Sequence, residues 1–182
     1  KIEKKEKTLD NYLDGIGYRC PKEAEYYIKN EFSLEVLLEY QSILQHHLEK
    51  PSVESAKKLY DFLASHKSED GIYFAELEYQ RVYEKEFISK IIQCLVGSCL
   101  NRENILDVGC QIGFFTNYLA ENNPYARFIG IDISEKSLNI ARENAKKLNL
   151  YNVEYRVANL LNLRDLFEEN SFDSVLLIDV LD

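Results

Sequence analysis

The sequence predicts an α/β chain in which a helical first half precedes an open, doubly wound sheet of parallel strands. Three observations predict it. From residue 104 onward, short apolar runs at 105–108, 126–133, 153–158 and 172–179 alternate with stretches of helical period. Gly109 and Gly113 turn the first run sharply into the helical pattern Phe114, Phe115, Tyr118, Leu119. Between about residues 33 and 96 the apolar spacing is helical.

Residues 1–10 mix Lys and Glu with little that is apolar, and Asp14-Gly15-Ile16-Gly17 with Cys20-Pro21 marks an irregular, turn-rich start. A helix then follows, with Ser33 as its cap, Glu35 in its first turn and Leu34, Leu37, Leu38, Gln41, Leu44 and Leu48 on one face. Pro51 stops it. Ser52 caps a second helix, with Val53, Ala56, Leu59, Tyr60 and Leu63 on its apolar side. The pattern over 73–96 fits one long helix or two, and Tyr79 and Tyr83 share a face whose plain role is core packing.

In the second half, Asn122-Asn123-Pro124 ends the first helix and the run 126–133 supplies the second strand. Ser134 caps a helix carrying Leu138, Ala141, Ala145 and Leu148, with Glu135 placed well near its N-terminus. The third strand is 153–158, a short helical turn covers 163–169, and the fourth strand is 172–179.

Composition narrows the function classes. A chain of 182 residues, 46% hydrophobic and 29% charged, can bury a core without disulfides or metals. The net charge is −9 and both halves are acidic, which disfavours a polynucleotide substrate and favours a small molecule or a protein. No apolar run is long enough to span a bilayer, and no secretion signal is visible. Cys20, Cys94, Cys99 and Cys110 show no zinc spacing and read as reduced, mostly buried thiols, which predicts a cytoplasmic protein. His46, His47 and His66 have no partner motif and read as surface or core residues.

The run Asn104-Ile-Leu-Asp-Val-Gly-Cys-Gln-Ile-Gly-Phe-Phe-Thr resembles the first motif of the class I S-adenosylmethionine-dependent methyltransferases: a hydrophobic strand, an acidic residue, then Gly-x-Gly-x-Gly. Asp107, Gly109 and Gly113 match, while Gln111 stands at the middle glycine and would widen the loop or point to solvent. The match to the dinucleotide fingerprint is weaker, since both the middle glycine and the last spacing are missing. Phe128-Ile-Gly-Ile-Asp-Ile-Ser resembles the second motif, and Asp132 follows Gly113 at about the 20-residue spacing of a ribose-binding carboxylate. Ala158-Asn159-Leu160 and the strand from Phe172-Asp173 stand where the third and fourth motifs belong.

The resemblance spans about residues 75–182 and implies a Rossmann-like class I methyltransferase sheet, here its first four strands. Members continue with three more strands and their helices, so the chain is expected to be the front of a longer protein. It further implies S-adenosyl-L-methionine as cofactor, with the ribose on Asp132 and Ile133 against the adenine. Asn159 would take the adenine amino group, and Leu160 would add an apolar contact. Gly109, with Cys110, Gln111 and Gly113 of its loop, and Leu177 would hold the methionine part; Asp107 would bind the ammonium, and Asp179 would face the methyl group. The apolar helix faces of residues 1–98 and their place just before the first strand suggest a helical cap that covers the cofactor or shapes the acceptor pocket, ahead of a cofactor-binding domain over 99–182, incomplete at its C-terminus. The implied activity is methyl transfer to a small-molecule or protein acceptor, with a noncatalytic cofactor-binding subunit as the alternative. No general base is assigned.

Overall fold

The computed structural model describes Leu13 and residues 18–178. Among the described residues the elements open with helices α1 (Pro21–Glu31), α2 (Leu34–Glu49), α3 (Val53–Leu63), α4 (Phe74–Val82) and α5 (Lys85–Cys99). Then follow β1 (Asn104–Val108), α6 (Phe114–Asn122), β2 (Arg127–Asp132), α7 (Glu135–Lys147), β3 (Val153–Val157), a 3-10 turn (Leu160–Asn162), the short α8 (Leu163–Leu166) and β4 (Ser174–Leu177). The four strands are parallel, in the order β3-β2-β1-β4. The chain steps outward from β1 to β3 and then crosses back to the far side of β1, so strand order reverses beside β1. Open α/β sheets bind ligands beyond the carboxyl ends of their strands at such a point.

The sequence explains most of these elements. Ser33, Ser52 and Ser134 are the expected caps, accepting from the amides of Val36 at 3.3 Å, Ser55 at 3.0 Å and Ser137 at 3.1 Å. Pro21, expected to belong to a turn, instead opens α1, where a missing N–H costs nothing. The pattern over 73–96 resolves into two helices, because Tyr83 and Glu84 adopt extended backbone between them.

The apolar face expected for α2 is corrected. Leu34, Leu38 and Leu48 point outward, and the helix packs through Ile43 with Val36, Leu37, Tyr40 and Leu44. Two stripes compete on that helix, and packing against α3 and α4 selects the one that meets Phe62 and Phe74, with Tyr40 lying 5.0 Å from the Phe74 ring.

There are separate cores. Ile28, Phe32, Ile43, Leu59, Phe62, Leu63, Phe74 and Leu77 form that of α1–α4. Ile88, Ile92 and Cys99 of α5 instead join Ile105, Phe115, Leu119, Phe128 and Leu176, the core of one face of the sheet. On the opposite face Leu106, Val108, Ile129 and Ile131 pack beneath Leu163, Phe167 and Phe172. Asp173 pins the start of β1, accepting from the amides of Glu103 at 3.0 Å and Asn104 at 2.9 Å. All four cysteines are free; Cys99 and Cys110 are buried as expected, whereas Cys20 and Cys94 are exposed. Among the described residues no helix is long and apolar enough to cross a membrane.

Candidate cofactor and acceptor site

Side chains alternate across a strand, so Ile105 and Asp107 of β1 face the α6 side, as do Phe128, Gly130 and Asp132 of β2. The two strands pair Asp107 with Gly130 and Val108 with Ile131. Asp107 and Asp132 therefore end neighbouring strands on one face. Both are buried. Asp107 Oδ2 accepts from the Thr116 hydroxyl, in the first turn of α6, at 2.5 Å. Burial pushes its carboxyl up to about 7, the Thr116 bond opposing and the Asp132 charge adding. Asp132 accepts from the amides of Gln111 at 3.0 Å and Ser134 at 2.8 Å. Burial raises its pKa too, against the pull of those N–H groups.

The loop between them takes left-handed backbone three times, with φ of 73° at Gly109, 47° at Gln111 and 73° at Gly113. Gln111 thus adopts a left-handed conformation, at a cost of about 1–2 kcal/mol for a residue with a Cβ. Its backbone N–H donates to Asp132, and the residue lines a cavity.

Two cavities open on these groups. The larger, about 550 Å³, is bounded on the sheet side by Val108, Gly109, Gln111, Asp132, Ile133, Asn159 and Leu160. The smaller, about 60 Å³, is lined by Asp107, Gly109, Cys110, Gln111 and Ile178, with Tyr79, Tyr83, Phe114 and Phe115. Gly109, Gln111, Ile112, Tyr79 and Tyr83 border both. The volume suits a small-molecule site. Among the described residues no group of His, Cys, Asp and Glu could hold a metal ion.

Eight of the eleven site residues expected from sequence border these cavities: Asp107, Gly109, Cys110, Gln111, Asp132, Ile133, Asn159 and Leu160. Asn159 also accepts from the Leu161 amide at 2.9 Å, so it shapes its own turn while facing the cavity. Asp179 lies outside the described residues. Leu177, 47% exposed, lines neither cavity; its neighbour Ile178 does.

Gly113 lines neither cavity either. A Cβ there would sit 2.5 Å from the Tyr155 hydroxyl and 2.8 Å from Ala141 Cβ, so the glycine allows α6 to close on β3 and α7. Gly113→Ala is expected to destabilise the fold by roughly 3 kcal/mol, combining left-handed strain with overpacking. Urea unfolding measures it, and a loss under about 1 kcal/mol would contradict the packing role.

The residues of the opposite wall of the larger cavity were not singled out from the sequence as site residues. His47, Val53, Ala56, Tyr60, Glu78, Tyr79 and Val82 come from α2, α3 and α4, and Tyr83 from the break after α4. Their signal was the i, i+4 spacing of Tyr79 and Tyr83, which fits core packing equally well. Thr116 was also missed. The helical layer is bonded to the sheet domain by Ser134 Oγ donating to Asp61 at 2.6 Å and by Lys136 Nζ donating to the Ser65 hydroxyl at 2.7 Å.

Residues 101–182 match the profile of a family described as "Methyltransferase domain". A tRNA (guanine-N(7)-)-methyltransferase of Rubrobacter xylanophilus is 35% identical over 72 residues, covering 40% of this chain and 32% of that protein. A demethylmenaquinone methyltransferase of Listeria welshimeri is 38% identical over 73 residues, 40% of this chain and 30% of that protein. The crystal structure of MccD protein aligns with a TM-score of 0.42 at 34% identity, over 47% of this chain and 38% of that one. The matches thus span about a third of the length of those curated relatives.

Proposed function

Residues 101–182 are of the class I S-adenosylmethionine-dependent methyltransferase type, and from that premise we propose that the chain binds S-adenosyl-L-methionine beyond the ends of β1, β2 and β4 and passes its methyl group to a small-molecule or protein acceptor. One observation carries the reading: two buried carboxylates at adjacent strand ends face two cavities that share the bend from Gly109 to Ile112.

In this reading the Asp132 oxygens, each already holding one backbone N–H, have lone pairs left for two ribose hydroxyls. Ile133 and Leu160 give the adenine apolar contacts, and Asn159 gives it a polar one. Asp107, fixed by Thr116, receives the ammonium beside Gly109, Cys110 and Gln111, with Ile178 just past β4 on the methionine side. Residues 1–98 serve as a cap over the binding domain 99–182, with α5 packed into the sheet's core.

When bound, the cofactor supplies a methyl group on a sulfonium, which leaves as a thioether when the acceptor's electron pair takes the methyl carbon. The protein has to align the two and exclude water. A noncatalytic role is not favoured, since the matched relatives are named for methyl transfer.

Calorimetry is expected to give one-to-one binding of S-adenosylmethionine and S-adenosylhomocysteine and none of NAD. Preference for NAD, or no binding of either adenosyl compound, would reject the reading. Radiolabelled methyl transferred to a cell extract distinguishes an enzyme from a binding subunit.

A further inference from the structure

The larger cavity has two unlike walls. The sheet side carries the polar groups already assigned to the adenosyl part. The helical side is aromatic and aliphatic, with Val53, Ala56, Tyr60, Tyr79, Val82 and Tyr83. Donor and acceptor must meet within about 3–3.5 Å for methyl transfer. An acceptor therefore has to share this cavity, and the helical wall is the surface left for it.

The ionisable groups around the cavity are one-sided. Among the described residues no lysine or arginine lines the cavity, whereas Glu78 and Asp132 do, and Asp107 borders the adjoining one. Glu78 is 9% exposed, and its carboxylate is held in place by Arg81, whose Nε donates to both oxygens at 3.1 Å and whose Nη2 donates to Oε2 at 2.8 Å. Arg81 itself is not part of the lining. His47, at the rim, is engaged through Nδ1 with Ser55 Oγ at 2.8 Å. A phosphate or carboxylate entering here would find no lysine or arginine in the lining to receive it, Arg81 being turned to Glu78. A protonated amine would meet a fixed carboxylate among tyrosine rings, which attract cations through their faces.

We propose that the helical wall is the acceptor site, and that the acceptor is a small molecule with an aromatic or aliphatic body and an amino group turned toward Glu78, without phosphate or carboxylate. The proposal rests on the cofactor reading above, deepening it to a substrate class. It excludes an acceptor of nucleic-acid chemistry from this cavity.

Three probes on one scaffold test it: tyramine, tyrosol and 4-hydroxyphenylacetate, titrated into the full chain saturated with S-adenosylhomocysteine and followed by calorimetry or ligand-detected NMR. Tyramine is expected to bind at least tenfold more tightly than 4-hydroxyphenylacetate, with tyrosol between them. In Glu78→Gln, which keeps a carbonyl oxygen for Arg81, the preference is expected to fall below threefold. Equal or tighter binding of the carboxylate, no binding of any probe, or an unchanged preference in a folded Glu78→Gln protein would overturn the proposal. Should Glu78→Gln not fold, the ranking of the three probes on the unaltered chain still decides. Failure of S-adenosylhomocysteine to bind would instead reject the cofactor reading, and the same probes on the unliganded protein would still report the charge preference of the wall.

Discussion

Asp132→Ala is expected to lower the affinity for S-adenosylmethionine by at least 100-fold. Two hydrogen bonds from ribose hydroxyls to an ionised acceptor are worth roughly 1.5–3 kcal/mol each, so their loss costs about 3 kcal/mol or more. The substitution also removes the acceptor for the Gln111 and Ser134 amides, which hold the glycine loop and the start of α7 in place. Asp132→Asn is expected to fall between the two, because one amide oxygen still accepts. Calorimetric titration measures both, and an Asp132→Ala protein that is folded and binds within tenfold of the unaltered chain would remove Asp132 from the site.

Asp107→Asn is expected to flatten the pH dependence of stability in the unliganded protein. Asp107 titrates at about 7 when folded and near the ordinary value of about 3.9 when unfolded. Between those values the folded state binds the extra proton, so stability falls as pH rises from about 4 to about 7 and stays lowered above that. That difference corresponds to a loss on the order of 4 kcal/mol. An asparagine keeps an oxygen for the Thr116 hydroxyl and has no charge to bury. The variant should therefore gain on the unaltered chain as pH rises, by several kcal/mol between pH 4 and pH 8, as read from urea unfolding at matched pH.

The same residue links folding to binding. A cationic group arriving beside Asp107 would draw it into its ionised form, so cofactor binding near pH 7 should release a fraction of a proton, visible in calorimetry as a dependence on the buffer's ionisation heat. Asp107→Asn should abolish that release while weakening binding. An identical stability difference between the two proteins at pH 4 and pH 8 would show that Asp107 does not titrate in this window.

The strand, bend and helix around Gly109 were legible because each signal there is local. An apolar run ends in a carboxylate, glycines stand at left-handed positions, and Ser134 caps the next helix. Asp107 and Asp132 could be placed together because parallel strands joined by one helix bring their ends side by side. The wall opposite them could not. Tyr79 and Tyr83 show the same spacing whether they pack inward or border a cavity, and Leu34, Leu38 and Leu48 form a stripe as apolar as the one α2 buries. Only the placement of α3 and α4 decides such cases. Gly113 carries the right residue in the motif, but its contacts with Tyr155 and Ala141 depend on β3 and α7, which the local pattern does not specify.

The break at Tyr83 and Glu84 has a further consequence. It separates a helix that gives Phe74 and Leu77 to the first core from one that belongs to the sheet, so roof and floor rest mainly on different cores, joined where Tyr79 reaches the sheet core and Ala64 meets Ile112 and Ile140. Units with their own cores open at their own free energies. Warming can therefore lift the roof while the floor stays folded, and capacity to hold ligands can vanish below the temperature at which the strands melt.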